Sequence, residues 1–192
     1  HTCARLSDST LKCWGRNSSG QLGDGSTTER TTPVAVSGIS NATQVSAGQD
    51  HTCSTLDNGS AMCWGLSYKS ALGNGYTNWQ ITPTPVAVSG LTDAVAVYTG
   101  RYFTCAKRSN STFVCWGDRD YGQLGDGTLT NQNIPISVSG ITNATELAVG
   151  TNHSCVNRSS GGVYCWGDNS SSQAGGSVAI SGTVTALALG GN

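Results

Sequence analysis

Charged residues are scarce in this chain of 192 residues: they make up 11% of it, against about 25% in an ordinary globular protein. Ten Lys and Arg face eleven Asp and Glu, and the net charge of -1 excludes the basic surface that neutralises nucleic-acid phosphates. No apolar run approaches the roughly 20 residues of a membrane-spanning helix, so we expect no membrane span. With one Met and two Phe, any core must be built from Val, Ile, Leu, Ala and Trp.

Small and turn-forming residues are abundant instead. The chain has 26 Gly and 48 Ser and Thr, which favours many turns and short strands over helices. Five Trp and recurrent Val and Ile runs argue against disorder. The composition predicts an all-β protein with thin cores. Because the sequence begins at His1, we expect a processed product or a stretch of something longer.

Four internal repeats organise the sequence. The string Cys-Trp-Gly begins at Cys13, Cys63, Cys115 and Cys165, and each copy follows another cysteine by ten residues. The repeats are 1–50, 51–102, 103–152 and 153–192, which we treat as one repeat domain, 1–192. The last repeat lacks about ten residues, which we place between Gly176 and Val178.

Each repeat predicts four short antiparallel strands. The first is the Val, Ala and Leu run before a glycine, as in Thr43–Ala47 or Thr185–Leu189. The second and third contain the two cysteines. The fourth is the Pro-Val-Ala-Val segment, whose proline suits an edge strand because an edge can spare a ladder donor. Four-stranded units at this spacing are typical of propeller blades or a β-solenoid.

The motifs resemble a known family. The pattern His-Thr-Cys, Cys-Trp-Gly-x-Asn, Gln-Leu-Gly-Asp-Gly, Thr-Pro-Val and Val-Ser-Ala-Gly is similar to the regulator of chromosome condensation repeat, over essentially the whole chain. The resemblance implies a β-propeller, usually of seven blades. The founding member of that family binds chromatin and promotes nucleotide exchange on a small GTPase, and other members are extracellular or bacterial proteins, including inhibitors that bind enzymes through the propeller face. This chain differs in its four repeats and in its paired cysteines.

The two ends of the sequence are complementary. Ala188-Leu-Gly-Gly-Asn192 stops where the other repeats continue into His-Thr-Cys, and His1-Thr-Cys3 supplies that continuation. We therefore expect the last strand to lie beside the first strands. The seam either closes a ring, or joins the next molecule or a continuing chain head to tail.

The eight cysteines predict four disulfides that staple hairpins: Cys3–Cys13, Cys53–Cys63, Cys105–Cys115 and Cys155–Cys165. Pairing Cys3 with Cys13 places Ala4 opposite Lys12 and leaves a loop of about three residues, Ser7-Asp8-Ser9. The spacing fits no zinc knuckle, and Phe103 replaces the histidine found in the other repeats, so we expect no metal and no other cofactor. Disulfides indicate an oxidising compartment, hence an extracellular or cell-surface location.

Eight Asn-x-Ser/Thr acceptor sites occur, where 13 Asn and the Ser and Thr content predict about three. They predict N-linked glycans at Asn17, Asn41, Asn58, Asn110, Asn143, Asn152, Asn157 and Asn169. The alternative is that polar turns favour Asn and Ser and that repeats copy accidental sites.

Catalytic patterns are missing from the sequence. It contains no nucleophile elbow, no phosphate-binding loop and only scattered carboxylates, so we expect no enzyme. Asp24 and Asp126 lie between glycines and could bind calcium, although tight turns use the same residues.

Aromatic and cationic residues are considered as partner contacts. The four Trp of Cys-Trp-Gly are expected to pack between blades rather than to form sugar-stacking platforms. In contrast, Tyr76 and Trp79 lie in the repeat-two insertion, and Arg101 and Arg119 interrupt an otherwise neutral pattern; these four are possible partner contacts.

The sequence supports two functional hypotheses. The first is a non-enzymatic extracellular structural glycoprotein, a subunit or segment of a cell-surface or fibrous assembly that contacts itself head to tail. The second is a secreted β-propeller module that binds a protein or carbohydrate through one face.

Overall fold

The computed structural model describes residues 1–128, 130–141, 144–159, 161–178 and 184–190. They form four antiparallel sheets, as the all-β prediction requires, and three of these sheets take their first strand from the end of the preceding repeat. The only helical segment in these ranges is a short 3-10 turn at Tyr68–Ser70. No helix in the described part of the chain is long and apolar enough to cross a membrane.

The sheets are the blades of a propeller, numbered in chain order. Blade 1 contains β1 (Thr2–Arg5), β2 (Leu11–Gly15) and β3 (Arg30–Ala35). Blade 2 contains β4 (Ala42–Ala47), β5 (His51–Leu56), β6 (Ala61–Leu66) and β7 (Ile81–Ala87). Blade 3 contains β8 (Ala94–Thr99), β9 (Phe103–Arg108), β10 (Phe113–Gly117) and β11 (Gln132–Ser137). Blade 4 contains β12 (Ala144–Val149), β13 (His153–Arg158), β14 (Val163–Gly167) and β15 (Gly176–Val178).

Blades 2, 3 and 4 run in sequence order from the innermost to the outermost strand. The glycines that end β4, β8 and β12 meet Gly190 around a cavity of about 210 Å³, which marks the propeller axis. The proline-containing strands β3, β7 and β11 each lie at the outer edge of a sheet, as predicted. Blade 1 has three strands, and β1 is its innermost one.

The segment 184–190 takes the place of the innermost strand of a following blade. Asn157 Nδ2 donates to the Val184 carbonyl at 2.8 Å, as Arg5 Nε donates to the Ala42 carbonyl at 2.6 Å between blades 1 and 2. The segment is nevertheless not a strand, so the predicted strand at Thr185–Leu189 is wrong: no described strand pairs with it. It is not paired with β1 either, and the expected seam is therefore not formed among the described residues.

All eight cysteines form the four predicted disulfides. In each hairpin the two cysteines are directly opposed, and in blade 1 Ala4 faces Lys12 as expected. Arg5 faces Leu11 and the Leu6 amide donates to the Thr10 carbonyl, which leaves the predicted three-residue loop Ser7-Asp8-Ser9.

The apolar cores lie between blades rather than within them. Five of the eight disulfide cysteines are fully buried in these cores, which are otherwise built of small aliphatic residues. Three Trp of Cys-Trp-Gly bridge to the preceding blade: Trp64, Trp116 and Trp166 donate their ring N–H to the carbonyls of Gln21, Ala71 and Gln123 at 2.9 Å. The predicted packing between blades is confirmed for these three.

Two of the histidines that lie two residues before a first cysteine also connect blades. His51 is buried, and its Nε2 lies 2.9 Å from Thr104 Oγ1 of blade 3; His1 makes the same contact with Thr52 of blade 2 at 2.8 Å. Burial lowers the pKa of His51 from 6.5 to about 4, because a charged imidazolium would be desolvated there.

This pKa predicts acid sensitivity of the fold. Between pH 6.5 and 4 the unfolded chain takes up a proton at His51 that the folded chain does not, so stability falls as pH falls through this range. From pH 8 to pH 5 the contribution of His51 to the unfolding free energy falls by about 2 kcal/mol. Urea unfolding at both pH values measures it. The variant His51→Phe carries in blade 2 the residue that blade 3 has at the equivalent position, Phe103. It should lose the His51 contribution to the change in unfolding free energy between pH 8 and pH 5. The same change in the variant and in the native chain would show that His51 is not the group responsible.

Candidate binding groove

One face of the propeller carries a groove between blades 2 and 3. It is formed by four loop segments at the same end of the blades: 67–80, 100–102, 118–121 and 150–152. Its volume is about 430 Å³. Its lining residues are aromatic or charged for the most part: Leu66, Tyr68, Lys69, Trp79, Arg101, Tyr102, Asp118, Asp120, Tyr121 and Asn152. We call it the aromatic groove.

Three of its rings are exposed to solvent. Trp79 is 67% exposed, Tyr121 51% and Tyr68 38%. Tyr68 also meets the Tyr102 ring edge to face, with centroids 4.7 Å apart, so that a loop of blade 2 contacts a loop of blade 3. The groove therefore presents apolar ring surface from both blades.

Blades 1 and 4 carry serine where the groove has Tyr68 and Tyr121. Counted from the glycine of Cys-Trp-Gly, Tyr68 corresponds to Ser18 and Ser170, and Tyr121 to Ser19 and Ser171. Because serine at these positions is compatible with the same loop, the fold does not require the rings. Exposed aromatic surface that folding does not need indicates a contact site.

The carboxylates of the groove are already paired. Lys69 Nζ lies 2.6 Å from Asp120 Oδ2 and 3.4 Å from Asp118 Oδ1. The hydrogen bond to Asp120 raises the pKa of Lys69, and both carboxylates add to that effect. This cluster holds a blade 2 loop against a blade 3 loop, and it leaves no free carboxylate in the groove.

Arg101 is the free cation of the groove. Its guanidinium carbon lies 4.9 Å from the centroid of the Tyr102 ring, a cation–π geometry that keeps the side chain over the groove. The side chain is exposed, and no carboxylate in the described part of the chain forms an ion pair with it.

The predicted partner contacts are only partly at this site. Trp79 and Arg101 line the groove, whereas Tyr76 is 62% exposed in the same loop but lies outside the lining. The prediction for Arg119 is wrong, because its side chain is fully buried. It pairs with Asp126 and donates to Thr128 and to the Thr130 carbonyl, which holds the loop between β10 and β11 closed.

The Asp residues considered for calcium have structural roles. Asp24 accepts from the Ser26 amide and pairs with Arg30 Nη2 at 2.9 Å. Asp126 accepts from the Thr128 amide and pairs with Arg119. In the described ranges, no cluster of three or more His, Cys, Asp or Glu could hold a metal.

Sequence comparison assigns the family. A model of the regulator of chromosome condensation (RCC1) repeat matches residues 11–54 and 115–156, and a second model of the same repeat matches 42–70 and 144–173. Together the two cover more than half of the chain. The chain belongs to the RCC1-repeat family.

Several solved structures share this fold. Human WBSCR16 superposes with a TM-score of 0.71 at 25% identity, covering 82% of this chain and 42% of its own. Yeast RCC1 (Prp20), solved with Kap60, gives 0.72 at 16% identity, covering 83% and 40%. The CRINKLY WD40 ectodomain of the Arabidopsis thaliana receptor kinase ACR4 gives 0.54 at 17%, covering 99% and 54%. This RCC1-repeat chain thus spans about half or less of each; no curated protein sequence matches it significantly.

The glycan acceptor sites differ in exposure within these RCC1 repeats. Asn58, Asn110 and Asn169 are exposed. Asn17 is fully buried, so the glycan predicted at Asn17 is incompatible with the fold: its Nδ2 donates to the Thr28 carbonyl at 2.9 Å and its Oδ1 accepts from the Leu22 amide. Asn152 is also buried, and the prediction there fails for the same reason.

The remaining acceptor sites are intermediate or not described. Asn41 and Asn157 are half-buried, and each uses its Nδ2 as a donor, to Asp57 and to the Val184 carbonyl. Asn143 lies outside the described residues.

Proposed function

We propose that this chain is part of an extracellular, non-enzymatic RCC1-repeat propeller that binds a protein partner through the aromatic groove. The observation that carries the proposal is the exposure of Tyr68, Trp79 and Tyr121 on one face, two of them at positions where other blades have serine. Tyr, Trp and Arg are the residues enriched at the energetic centres of protein interfaces.

A protein is favoured over a carbohydrate by the state of the polar groups. Carboxylates that bind sugar hydroxyls beside a stacking ring accept their hydrogen bonds, but Asp118 and Asp120 are already ion-paired with Lys69, which makes them weaker acceptors for a sugar. The exposed Arg101 instead suits a carboxylate on a mainly apolar partner surface. Yeast RCC1, which shares the fold, was solved bound to the protein Kap60, and its binding to Gsp1p and histones has been described.

The extracellular part of the proposal rests on the disulfides. Every cysteine is paired, and these pairs contribute to the cores between blades. Disulfides of this kind persist in oxidising compartments and are rare in the cytosol and nucleus.

A binding screen tests the proposal. The chain, tetramerised through a terminal tag, is applied to an array of purified extracellular proteins, beside the variant Tyr68→Ser/Trp79→Ser/Tyr121→Ser. Two of these substitutions restore the residues of the other blades, so the variant should fold. We expect partners that bind the native chain and are lost, by tenfold or more, with the variant. Equal binding by the native chain and the serine variant would overturn the groove as the site. If the native chain binds only array proteins whose binding is lost when their glycans are removed, the ligand is a carbohydrate.

A structural role is the second candidate, and one observation favours it. Segment 184–190 occupies the place of an innermost strand without a sheet, while β1 is the innermost strand of a three-stranded blade. Pairing of the two between copies would join molecules head to tail. Negative-stain electron microscopy distinguishes the candidates, since filaments with a regular axial repeat support assembly and compact single particles oppose it.

The structure also predicts which acceptor sites carry glycans after secretion from eukaryotic cells. Asn58 and Asn110 lie on equivalent hairpin turns, where each Oδ1 accepts from the amide and hydroxyl of the residue two positions on. Each Nδ2 is left without a partner in the described structure, free for attachment. We expect high occupancy at both and none at Asn17. The occupancy of each site is measured by mass spectrometry of peptides after the N-linked glycans have been released enzymatically in heavy-oxygen water. An occupied Asn17 in folded material would contradict the structure.

A further inference from the structure

The outermost strand of one blade covers a loop of the preceding blade at two blade junctions. Between blades 1 and 2, the Gly25 amide donates to the Pro83 carbonyl at 3.0 Å. A Cβ on Gly20 would lie only 2.7 Å from Pro83 Cα, so the proline rests directly on that loop. Between blades 2 and 3, the Gly75 amide donates to the Asn133 carbonyl at 2.9 Å. The start of the outermost strand is thus a repeated cover for the glycine loop.

Blade 4 lacks this cover. Its outermost strand β15 begins at Gly176, directly opposite Cys165, so the missing residues lie before Gly176 and not after it as the sequence suggested. In the other blades the glycine of Cys-Trp-Gly pairs with the outermost strand, as Gly65 does with Thr82. In blade 4, Gly167 has no described partner on that side, and the outer edge of β14 is open there.

The shortened repeat leaves a cavity of about 330 Å³ between blades 3 and 4. No described atom lies within 4 Å of a Cβ placed on Gly122 or Gly127, the counterparts of Gly20 and Gly25. The Gly127 amide has no acceptor in the described structure, although the corresponding amides of Gly25 and Gly75 both have one.

The lining of this cavity has no charged side chain and is apolar for the most part. It includes Val138, Tyr164 and Trp166. Trp166 is 9% exposed, whereas its counterparts Trp64 and Trp116 are fully buried. Its ring N–H already donates to the Gln123 carbonyl, so the ring offers only apolar surface to an occupant.

We infer that this cavity, the junction cleft, is a second binding site, independent of the aromatic groove, for an extended proline-containing segment of another protein. The segment adds a short antiparallel strand to the open edge of β14, in the mode of strand addition. Its proline rests on Gly122 as Pro83 rests on Gly20, and the proline carbonyl accepts from the Gly127 amide. The junction between blades 1 and 2 defines the place of the proline, and both covered junctions show the hydrogen bond from the glycine amide, to Pro83 in one and to Asn133 in the other. The lining of the cleft carries no charged side chain, as the covering segment 81–86 carries none.

The chain itself supplies the probe. A capped synthetic peptide with the sequence of residues 80–86, Gln-Ile-Thr-Pro-Thr-Pro-Val, is titrated into the full chain by isothermal calorimetry, with a control peptide in which both prolines are glycine. We expect binding with a dissociation constant below about 1 mM, and at least tenfold weaker binding of the control. No heat from the first peptide at millimolar concentration, or equal binding of the two, overturns the inference.

Two variants locate the binding site. Inserting the sequence of residues 24–33 between Gly175 and Gly176 restores the missing cover and should abolish peptide binding. Tyr164→Lys introduces the residue that blade 1 carries at the equivalent Lys12, and it should weaken binding about tenfold without disturbing the fold. Binding that is unchanged in a folded Tyr164→Lys variant places the peptide elsewhere and contradicts the junction cleft. The serine variant of the aromatic groove should bind the peptide normally, so the two proposals fail separately.

Discussion

Reduction of the four disulfides is expected to unfold the chain. Each closes a loop of ten residues in sequence, and such a loop contributes about 2–3 kcal/mol, mainly by restricting the unfolded state. Together they supply about 8–12 kcal/mol, comparable with the whole stability of a typical domain. The blades have few large apolar residues to compensate, because the cores between them are built mainly from Ala, Val, Leu and the cysteines themselves.

The measurement is urea unfolding with and without a reductant, followed by tryptophan fluorescence. Replacing one pair, Cys53→Ala/Cys63→Ala, should lower the unfolding free energy by about 2–3 kcal/mol, and native alkylation should find no free thiol. A reduced chain that keeps the same urea midpoint would show that the disulfides are dispensable.

Truncating a bridging tryptophan is the second large effect. Trp64 and Trp116 are fully buried between blades, each with its ring N–H bonded to a carbonyl of the preceding blade. The rings lie so close to the preceding glycine loop that a Cβ on Gly23 would be 2.7 Å from Trp64 Nε1. Trp116→Ala should therefore cost about 3–5 kcal/mol, through the cavity and the unpaired carbonyl.

Trp79→Ala is the matched control, since Trp79 is 67% exposed. We expect its unfolding free energy to stay within about 0.5 kcal/mol of the native value. Chemical denaturation of the three proteins checks both expectations. A Trp116→Ala variant as stable as the control would mean that the blades do not depend on the bridging rings.

Local patterns made the hairpins predictable. The spacing of ten residues, the turn residues and the prolines act within one repeat, and so the disulfides, the antiparallel register and the edge strands followed from the sequence. The end of the chain was less predictable. Its Val and Leu pattern matches a strand, but an innermost strand needs partners in its own blade, and segment 184–190 has none among the described residues.

Arg119 shows why charge alone was misleading. It occupies the position that Asn17 occupies in blade 1, and both residues hold the following loop by donating to its carbonyls: Asn17 to Thr28, Arg119 to Thr130. The equivalence of the repeats signals this role, since a position that secures a loop in one blade does so in another. The same comparison explains why Asn17 is unsuited to a glycan, because its amide is already used.

The groove could be predicted only in part. Trp79 and Arg101 stood out as departures from the repeat, but Tyr68 and Tyr121 did not. Aligning the repeats would have revealed them as tyrosines in place of serine; their convergence with Tyr102 depends on how blades 2 and 3 pack together. Sequence separations of about 50 residues become contacts only through that packing.

The central claim is that the aromatic groove binds a protein, and NMR mapping with the strongest partner from the array tests it most directly. The account predicts that amide shift changes concentrate in loops 67–80, 100–102 and 118–121, and disappear when the serine variant replaces the native chain. Shift changes confined to other faces, or equal changes with the serine variant, would contradict it.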